Sequence, residues 1–520
     1  MSRHYLGVEL GSTRIKAVLI DETFSPVAAG AFGWESRYEN GYWTYSLDEA
    51  WAGVRAAYAE MAAAYRAKFG RPLTHLDGMG ISGMMHGYLP FDRNGRQLAA
   101  FRTWRNTTTQ DAAKRLSALF DFNVPQRWSI AHLYQAMLNG EAHVRQIARL
   151  TTLAGYIHAR LTGQSVLGAG EASGMFPIGA DGQYDRKMAE KFDALLREAA
   201  LPFTLRDVLP RALLAGEDAG SLTAEGALLL DPTGALQPGA PLCPPEGDAG
   251  TGMTATDAVA AGTGNVSAGT SIFAMLVLSQ PLRRVYPEID MVATPDGKPV
   301  AMVHCNTCTS DLDAWVGLLG EAIRAAGTEI STDALYRLFY ESALSGDADC
   351  GGLVSFNYFA GEPVTGTEAG RPLFLRRPDA KLGLGNFARC QLYAAIATLK
   401  LGMNILADED VRLERLNGHG GLFKTPVVGQ RLIAGALNVP VAVMTTAGEG
   451  GPWGMALLAA YRAQRQAGQT LADFLDRRVF AKAQVSVLTP NPEDAAGFAA
   501  FLRDYTACLP VERAAAQALR

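Results

Sequence analysis

His4-Tyr5-Leu6-Gly7-Val8-Glu9-Leu10-Gly11-Ser12-Thr13-Arg14-Ile15-Lys16-Ala17-Val18-Leu19-Ile20-Asp21 is the stretch on which the fold turns. An apolar run, a turn of glycine and hydroxyl residues, and a second apolar run predict a β-hairpin. Outward from it, 48–69 places Trp51, Val54, Tyr58, Met61 and Tyr65 at helical spacing, one apolar stripe. A short strand at 76–82 runs into a glycine turn. Helical stretches follow Asn106 and recur over about 131–161. Strands alternating with helices make this an α/β chain. The opening theme returns at 259–279 as a strand, the turn Ser267-Ala268-Gly269-Thr270-Ser271, and a strand at 272–278. The chain therefore reads as two related halves, each opened by a hairpin. The Pro-, Gly- and Leu-rich segment 222–245 reads as a connector or boundary. The last long helices are expected in 387–407 and 453–466, followed by an Ala-rich helical tail. No short-period repeat is visible, which argues against a solenoid.

Composition bounds the function. The chain has 520 residues, enough for two to four units at roughly 150 residues each. Hydrophobic residues make up 48% and charged residues 19%, which excludes intrinsic disorder. The net charge of −5, without a basic block, gives no electrostatic reason to expect nucleic acid or a membrane surface as partner. Six scattered cysteines form no secreted disulfide pattern. The start carries no signal-peptide h-region, and the longest uncharged stretch, 258–280, is too rich in Gly, Asn, Ser and Thr to span a bilayer. A cytoplasmic protein is expected, as a homodimer because two-fold dimers are the commonest assembly. Glycine is the skewed residue, 55 of 520, and it clusters. Glycine serves where backbone must turn tightly or approach a ligand, so the clusters are where chemistry is sought.

Five motifs stand out. Glu9-Leu10-Gly11-Ser12-Thr13-Arg14-Ile15-Lys16 is either an ordinary tight hairpin or a cradle of N–H and O–H donors for an anion, with an acid at the strand end for a metal or water. Ser267 to Ser271 offers the same physics in the second half, and two such turns could converge on one polyphosphate. Gly247-Asp248-Ala249-Gly250-Thr251-Gly252 isolates one carboxylate among small residues. It suits a general base acting on a hydroxyl, or a turn aspartate capping a helix that starts near Thr251. Gly83-Met84-Met85-His86-Gly87 can line a small polar pocket or hold a satisfied structural histidine. Gly418-His419-Gly420-Gly421-Leu422-Phe423-Lys424 and Gly448-Glu449-Gly450-Gly451-Pro452-Trp453-Gly454 are phosphate- or ring-accommodating loops, or helix caps. There is no G-x-x-x-x-G-K-[S/T], no G-x-G-x-x-G after the first strand, no H-E-x-x-H and no G-x-S-x-G. Cys305 and Cys308, beside His304, lack the second pair a zinc site needs and read as packed thiols.

In this order and spacing, the motifs resemble the FGGY family of carbohydrate kinases, within the actin-like ATPase superfamily, from about Tyr5 to Tyr461. The resemblance implies two actin-like, ribonuclease H-like α/β domains flanking a central cleft. It divides the chain into 1–256, 257–460 and a helical segment 461–520. It implies ATP and Mg²⁺ as cofactors and a small sugar as partner, most simply a pentulose such as D-xylulose, with ribulose or another ketose or polyol as alternatives. By the same resemblance Gly11, Ser12, Thr13 and Lys16 form the first phosphate loop, and Gly269, Thr270 and Ser271 the second. Gly420 and Gly421 through Gln430, with Gly450, Gly451 and Gly454, form the adenosine region. Met85, His86, Trp104, Arg105 and Asn106 line the sugar pocket. Asp248 is the catalytic base, and Glu9 with Asp248 holds the metal. The chain departs from the family pattern at three points. Glu9 stands for the usual Asp, Met84 for the usual Gln, and Trp104-Arg105-Asn106 for Trp-Asn-Asp, so the sugar half departs more than the nucleotide half. Readings of another class are an actin-like ATPase switch without sugar and a non-catalytic sugar sensor.

Overall fold

The computed structural model describes residues 3–444 and 450–519. Two sheets organise them. The first contains β1 (His4–Leu10), β2 (Arg14–Asp21), β3 (Pro26–Gly33), β4 (Gly78–Gly83) and β5 (Glu246–Gly247), in the order β5-β4-β1-β2-β3. β1, β2 and β3 form an antiparallel meander, while β4 and β5 join parallel to β1. The expected opening hairpin is there. β1 is almost wholly buried, as a strand covered on both faces must be. One cover is α1 (Leu47–Phe69), whose buried face holds the five residues of the predicted stripe. Ser46 caps its first turn and Gly70, at φ 69°, ends it.

The second sheet contains β6 (Thr263–Ala268), β7 (Ile272–Val277), β8 (Ile289–Ala293), β9 (Pro299–Cys305), β10 (Arg415–His419), β11 (Val441–Met444) and β12 (Val485–Leu488). Their order is β8-β9-β7-β6-β10-β11-β12. β6, β7 and β9 repeat the antiparallel meander, and β10 repeats the parallel partner. The two halves thus share a plan, as the repeated hairpin implies.

Between the sheets lie α2 (Ala169–Ser173) and α3 (Asp248–Ala255), which leaves the end of β5. In the second unit, α4 (Leu384–Asp408) is the one helix among the described residues long and apolar enough to cross a membrane, yet most of that apolar window is buried. It packs between its neighbours as a core helix, with α5 (Val428–Leu437) beside it. α6 (Gly450–Gln464) turns back to pack on β1, β4 and α3, forming the other cover of the first sheet. α7 (Pro492–Ala518) is the helical tail, and its Asp494 accepts from both Arg389 and Arg431, fixing it to α4 and α5.

The segment 222–245 is not a connector. It contains a helix, Ala224–Leu230, capped by Thr223, and sends Leu222, Ala227, Leu230, Leu236 and Leu242 into the core of the first unit. Its Pro and Gly residues shape bends around that core, which composition alone cannot tell from a linker.

Candidate active site

Parallel strands present their carboxyl ends to ligands, and the ends of β1, β4 and β5 place a row of polar residues side by side. Lys16 pairs in register with Glu9, Glu9 with Ser82, and Ser82 with Glu246. Asp248 follows Glu246 by two residues. Helix α3 begins at Asp248 itself, with Gly247 in the cap position, so the aspartate is not the cap of a helix starting near Thr251. Asp248 Oδ1 accepts from the N–H of Ala249 at 3.0 Å and of Met85 at 3.3 Å, which leaves Oδ2 as the oxygen available to a ligand. The side chain is open to solvent. Burial by the surrounding protein still pushes its pKa up, against the N–H groups of Met85, Ala249 and Asp248 itself that pull it down.

Glu9 is deeper. Burial, and then the charge of Asp248, raises its pKa to about 7, with Lys16 opposing. Its Oε2 is buried with no hydrogen-bond partner and fills the space a Cβ would need at Gly451, the second residue of α6. Two mutually repelling carboxylates, one with an unpartnered oxygen, fit a hard divalent cation, which takes one or two carboxylates and completes its shell with water and phosphate. Below them, burial pushes Glu246 up to about 8 and Glu171, in α2, well above the carboxylate range. Glu246 accepts from the N–H of Glu171 at 2.9 Å and of Gly170 at 3.3 Å, tying β5 to α2.

The first turn has its carbonyls drawn into the protein. Gly11 O accepts from Trp34 Nε1 at 2.7 Å, Ser12 O from Tyr45 Oη at 2.6 Å, and Thr13 O from Trp34 N at 3.2 Å. Gly11 N–H closes the turn on Arg14 O at 3.0 Å, so the amides of Ser12 and Thr13 are the ones left for an anion. The second turn is built alike: Gly269 O accepts from Thr309 and Thr270 O from Cys308. The loop after β9 therefore acts as a backing for this turn. Cys305 and Cys308 are free, buried thiols whose pKa burial raises, as the packed-thiol reading expects. Gly420, at φ 102°, lies directly against Ala268 O, so Gly420 and Gly421 stand beside the second turn.

Among the residues expected to line a sugar pocket, Trp104 is partly exposed and donates from Nε1 to Ser12 Oγ at 3.2 Å, linking it to the first turn. Met85 and His86 are buried. His86 takes φ 69° and uses both ring nitrogens: Nδ1–H donates to Gly174 O at 3.1 Å, and Nε2 accepts from Arg127 Nε at 3.2 Å. Burial, with Arg127 adding to it, lowers its pKa to about 3, so it is neutral and acts neither as acid nor as base. Met84 packs in the apolar core of the first unit, where an amide would have no role.

Three expected site residues are turned elsewhere. Asn106 is buried and its amide is held by the backbone of Trp43 and Thr103. Arg105 lies over the Trp43 ring and donates to Ser36 at 2.7 Å. Gln430 is buried in α5 and donates to Val441 O and Ser486 O, both at 2.8 Å. Each satisfies backbone or hydroxyl groups that mostly lie far off in the sequence, which a short motif cannot reveal. Gly450 and Gly451 lie at the Glu9 end of the site, and Gly454 packs against Thr251 O. Gly448 and Glu449 lie outside the described residues. Motif reading missed Arg127, Asp290 and Glu171, which meet the site only through tertiary contact. Glu246 was nearer to view, two residues before Asp248.

A sequence profile described as the FGGY family of carbohydrate kinases, N-terminal domain, matches residues 4–232, and its C-terminal domain matches 264–463. A xylulose kinase of Haemophilus influenzae is 21% identical over 85% of this chain and 87% of its own. The crystal structure of a xyloylose kinase from Brucella ovis superposes with a TM-score of 0.80 at 20% identity, covering 98% of this chain and 100% of that one. A gluconate kinase from Lactobacillus acidophilus superposes with a TM-score of 0.79 at 18% identity, over all of both chains. At such identities the shared fold extends across relatives named for different sugars.

Proposed function

The chain belongs to the FGGY family of carbohydrate kinases, ATP-dependent enzymes, and from that premise we propose that its acceptor is a neutral pentulose, D-xylulose foremost, with Asp248 as general base. The observation that carries this reading is Asp248 itself. It is an exposed carboxylate at the ends of parallel strands, with one oxygen held by two N–H groups and the other free. In the proposed reaction Oδ2 takes the proton of the sugar's terminal hydroxyl as that oxygen bonds to the γ-phosphorus and ADP leaves. A raised pKa suits that task. Phosphoryl transfer otherwise needs alignment and charge neutralisation. The two turns, with Lys16 beside the first, are the proposed phosphate cradle, and Gly420 and Gly421 flank its second half. Glu9 and Asp248 would hold Mg²⁺, which would supply charge neutralisation at the phosphates. Met85, His86 and Trp104 form the proposed sugar wall, from which Asn106 and Arg105 are withdrawn.

The charge around this wall favours a neutral sugar over a sugar acid. Asp248 accepts from Met85 N–H beside it, and Arg127, which donates to His86, is already paired with Asp290. A coupled kinase assay over D-xylulose, L-xylulose, D- and L-ribulose, L-fuculose, L-rhamnulose, glycerol and gluconate tests the proposal. The expected outcome is highest kcat/KM on a neutral pentulose and little turnover of gluconate. Preference for gluconate overturns it.

A further inference from the structure

His86 sits on the first unit, yet both of its ring nitrogens lead to one strand of the second. That strand is β8, at the edge of its sheet and paired only with β9. The first route starts at Asp290. Its carboxylate pairs with Arg127 Nη2 and accepts from Asn123 Nδ2 at 3.0 Å, and Arg127 Nε donates to His86 Nε2 at 3.2 Å. The second route starts at Ala293, whose N–H donates to Ser173 Oγ at 3.0 Å at the end of α2. The next residue, Gly174, accepts from His86 Nδ1–H. The histidine holds a left-handed backbone conformation that a non-glycine residue adopts at a cost. Its neighbour Met85 supplies one of the two N–H groups on Asp248 Oδ1. A side chain clamped at both nitrogens fixes that loop, and with it the carboxylate.

We propose that β8 is a positioning strap: through Asp290–Arg127 and Ala293–Ser173–Gly174 it holds the Met85–His86 loop, so that the alignment of Asp248 depends on the seating of the second unit against the first. Arg127 and Asp290 are positioning residues, acting through His86 and not on the sugar. Lysine cannot replace Arg127, because one ammonium lacks the planar fork that serves Asp290 and His86 together. This inference rests on the reading of Asp248 as base.

The test uses the full chain with Arg127→Ala, Arg127→Lys, Asp290→Asn, Ser173→Ala and the Arg127→Ala/Asp290→Asn double variant. D-xylulose is the probe, replaced by the best acceptor of the screen if another sugar leads. Arg127→Ala is expected to lower kcat roughly tenfold to a hundredfold, with KM for ATP unchanged and no rescue in Arg127→Lys. The double variant should be no slower than Arg127→Ala, since both residues lie on one route. Hydrogen exchange followed by mass spectrometry should quicken at 84–87 in Arg127→Ala, Asp290→Asn and Ser173→Ala. Multiplying losses in the double variant, or unaltered exchange at 84–87, overturns the strap. If Arg127→Ala does not fold, Asp290→Asn, which keeps the side-chain shape, must still show both the kcat loss and the faster exchange, or the proposal fails. The exchange readout needs no sugar, so a failed strap is separable from a failed base, which Asp248→Asn reports.

Discussion

Asp248 combines solvent access with a raised pKa, because it stands at a strand end amid protein mass while its Oδ2 stays free. Replacing that oxygen by an amide leaves the shape and removes the proton acceptor. Asp248→Asn is expected to lose ~10²-fold or more in kcat while sugar KM stays near the parent value; steady-state kinetics would reveal a parent-like kcat if the assignment were wrong. Glu9 poses a different question. Its pKa of about 7 means that a cation must displace a proton at or below neutrality. Glu9→Gln should raise the Mg²⁺ concentration that gives half-maximal rate, and an unchanged magnesium titration would remove Glu9 from the metal site.

Elements decide how close these residues come. α6 reaches β1 and α3 because Gly7 and Gly454 leave no side chain in the way. A Cβ at Gly7 would strike Pro452 O and Ala456 N, and one at Gly454 would strike Thr251 O. These are backbone atoms and cannot rotate aside. Gly7→Ala should therefore cost about 1–3 kcal/mol, read from urea unfolding. It should also weaken turnover, since the shift would reach Gly451 and Glu9. A variant with the parent midpoint and rate would show that α6 can slide without consequence.

At the scale of the molecule, buried acids and buried histidines pull stability in opposite directions with pH. His86 and His132 fall to about 3, and His158 and His304 to about 4. The folded state therefore binds fewer protons than the unfolded chain up to about pH 6.5, and these groups make stability rise with pH there. Glu9 at about 7, Glu246 at about 8 and Glu171, raised by burial well above the carboxylate range, do the reverse. Their folded forms keep protons that the unfolded chain releases near pH 4–5, so their contribution falls as pH climbs through the folded values. Through about pH 6.5 the histidine gain tapers off, and it is complete about one unit higher, while the acids still change. Melting temperature should thus peak near pH 6.5 and decline toward pH 9, and Glu246→Gln should flatten the decline. A melting temperature still rising from pH 7 to 9 would contradict these shifts.

The amino-acid order by itself determined the hairpins, the α1 stripe, the two-half plan and the Gly-Asp step, because each rests on local periodicity and turn chemistry that a few adjacent residues dictate. That Glu9 stands near the end of the first strand and that both turns close hairpins was legible in the same way. Only the tertiary structure decided that Asn106 and Gln430 face inward, that 222–245 is core, and that Arg127 and Asp290 meet at His86. Those outcomes depend on which distant backbone groups need partners. Asn106 meets Trp43 across 63 positions and Arg127 meets Asp290 across 163, and no local pattern encodes such contacts.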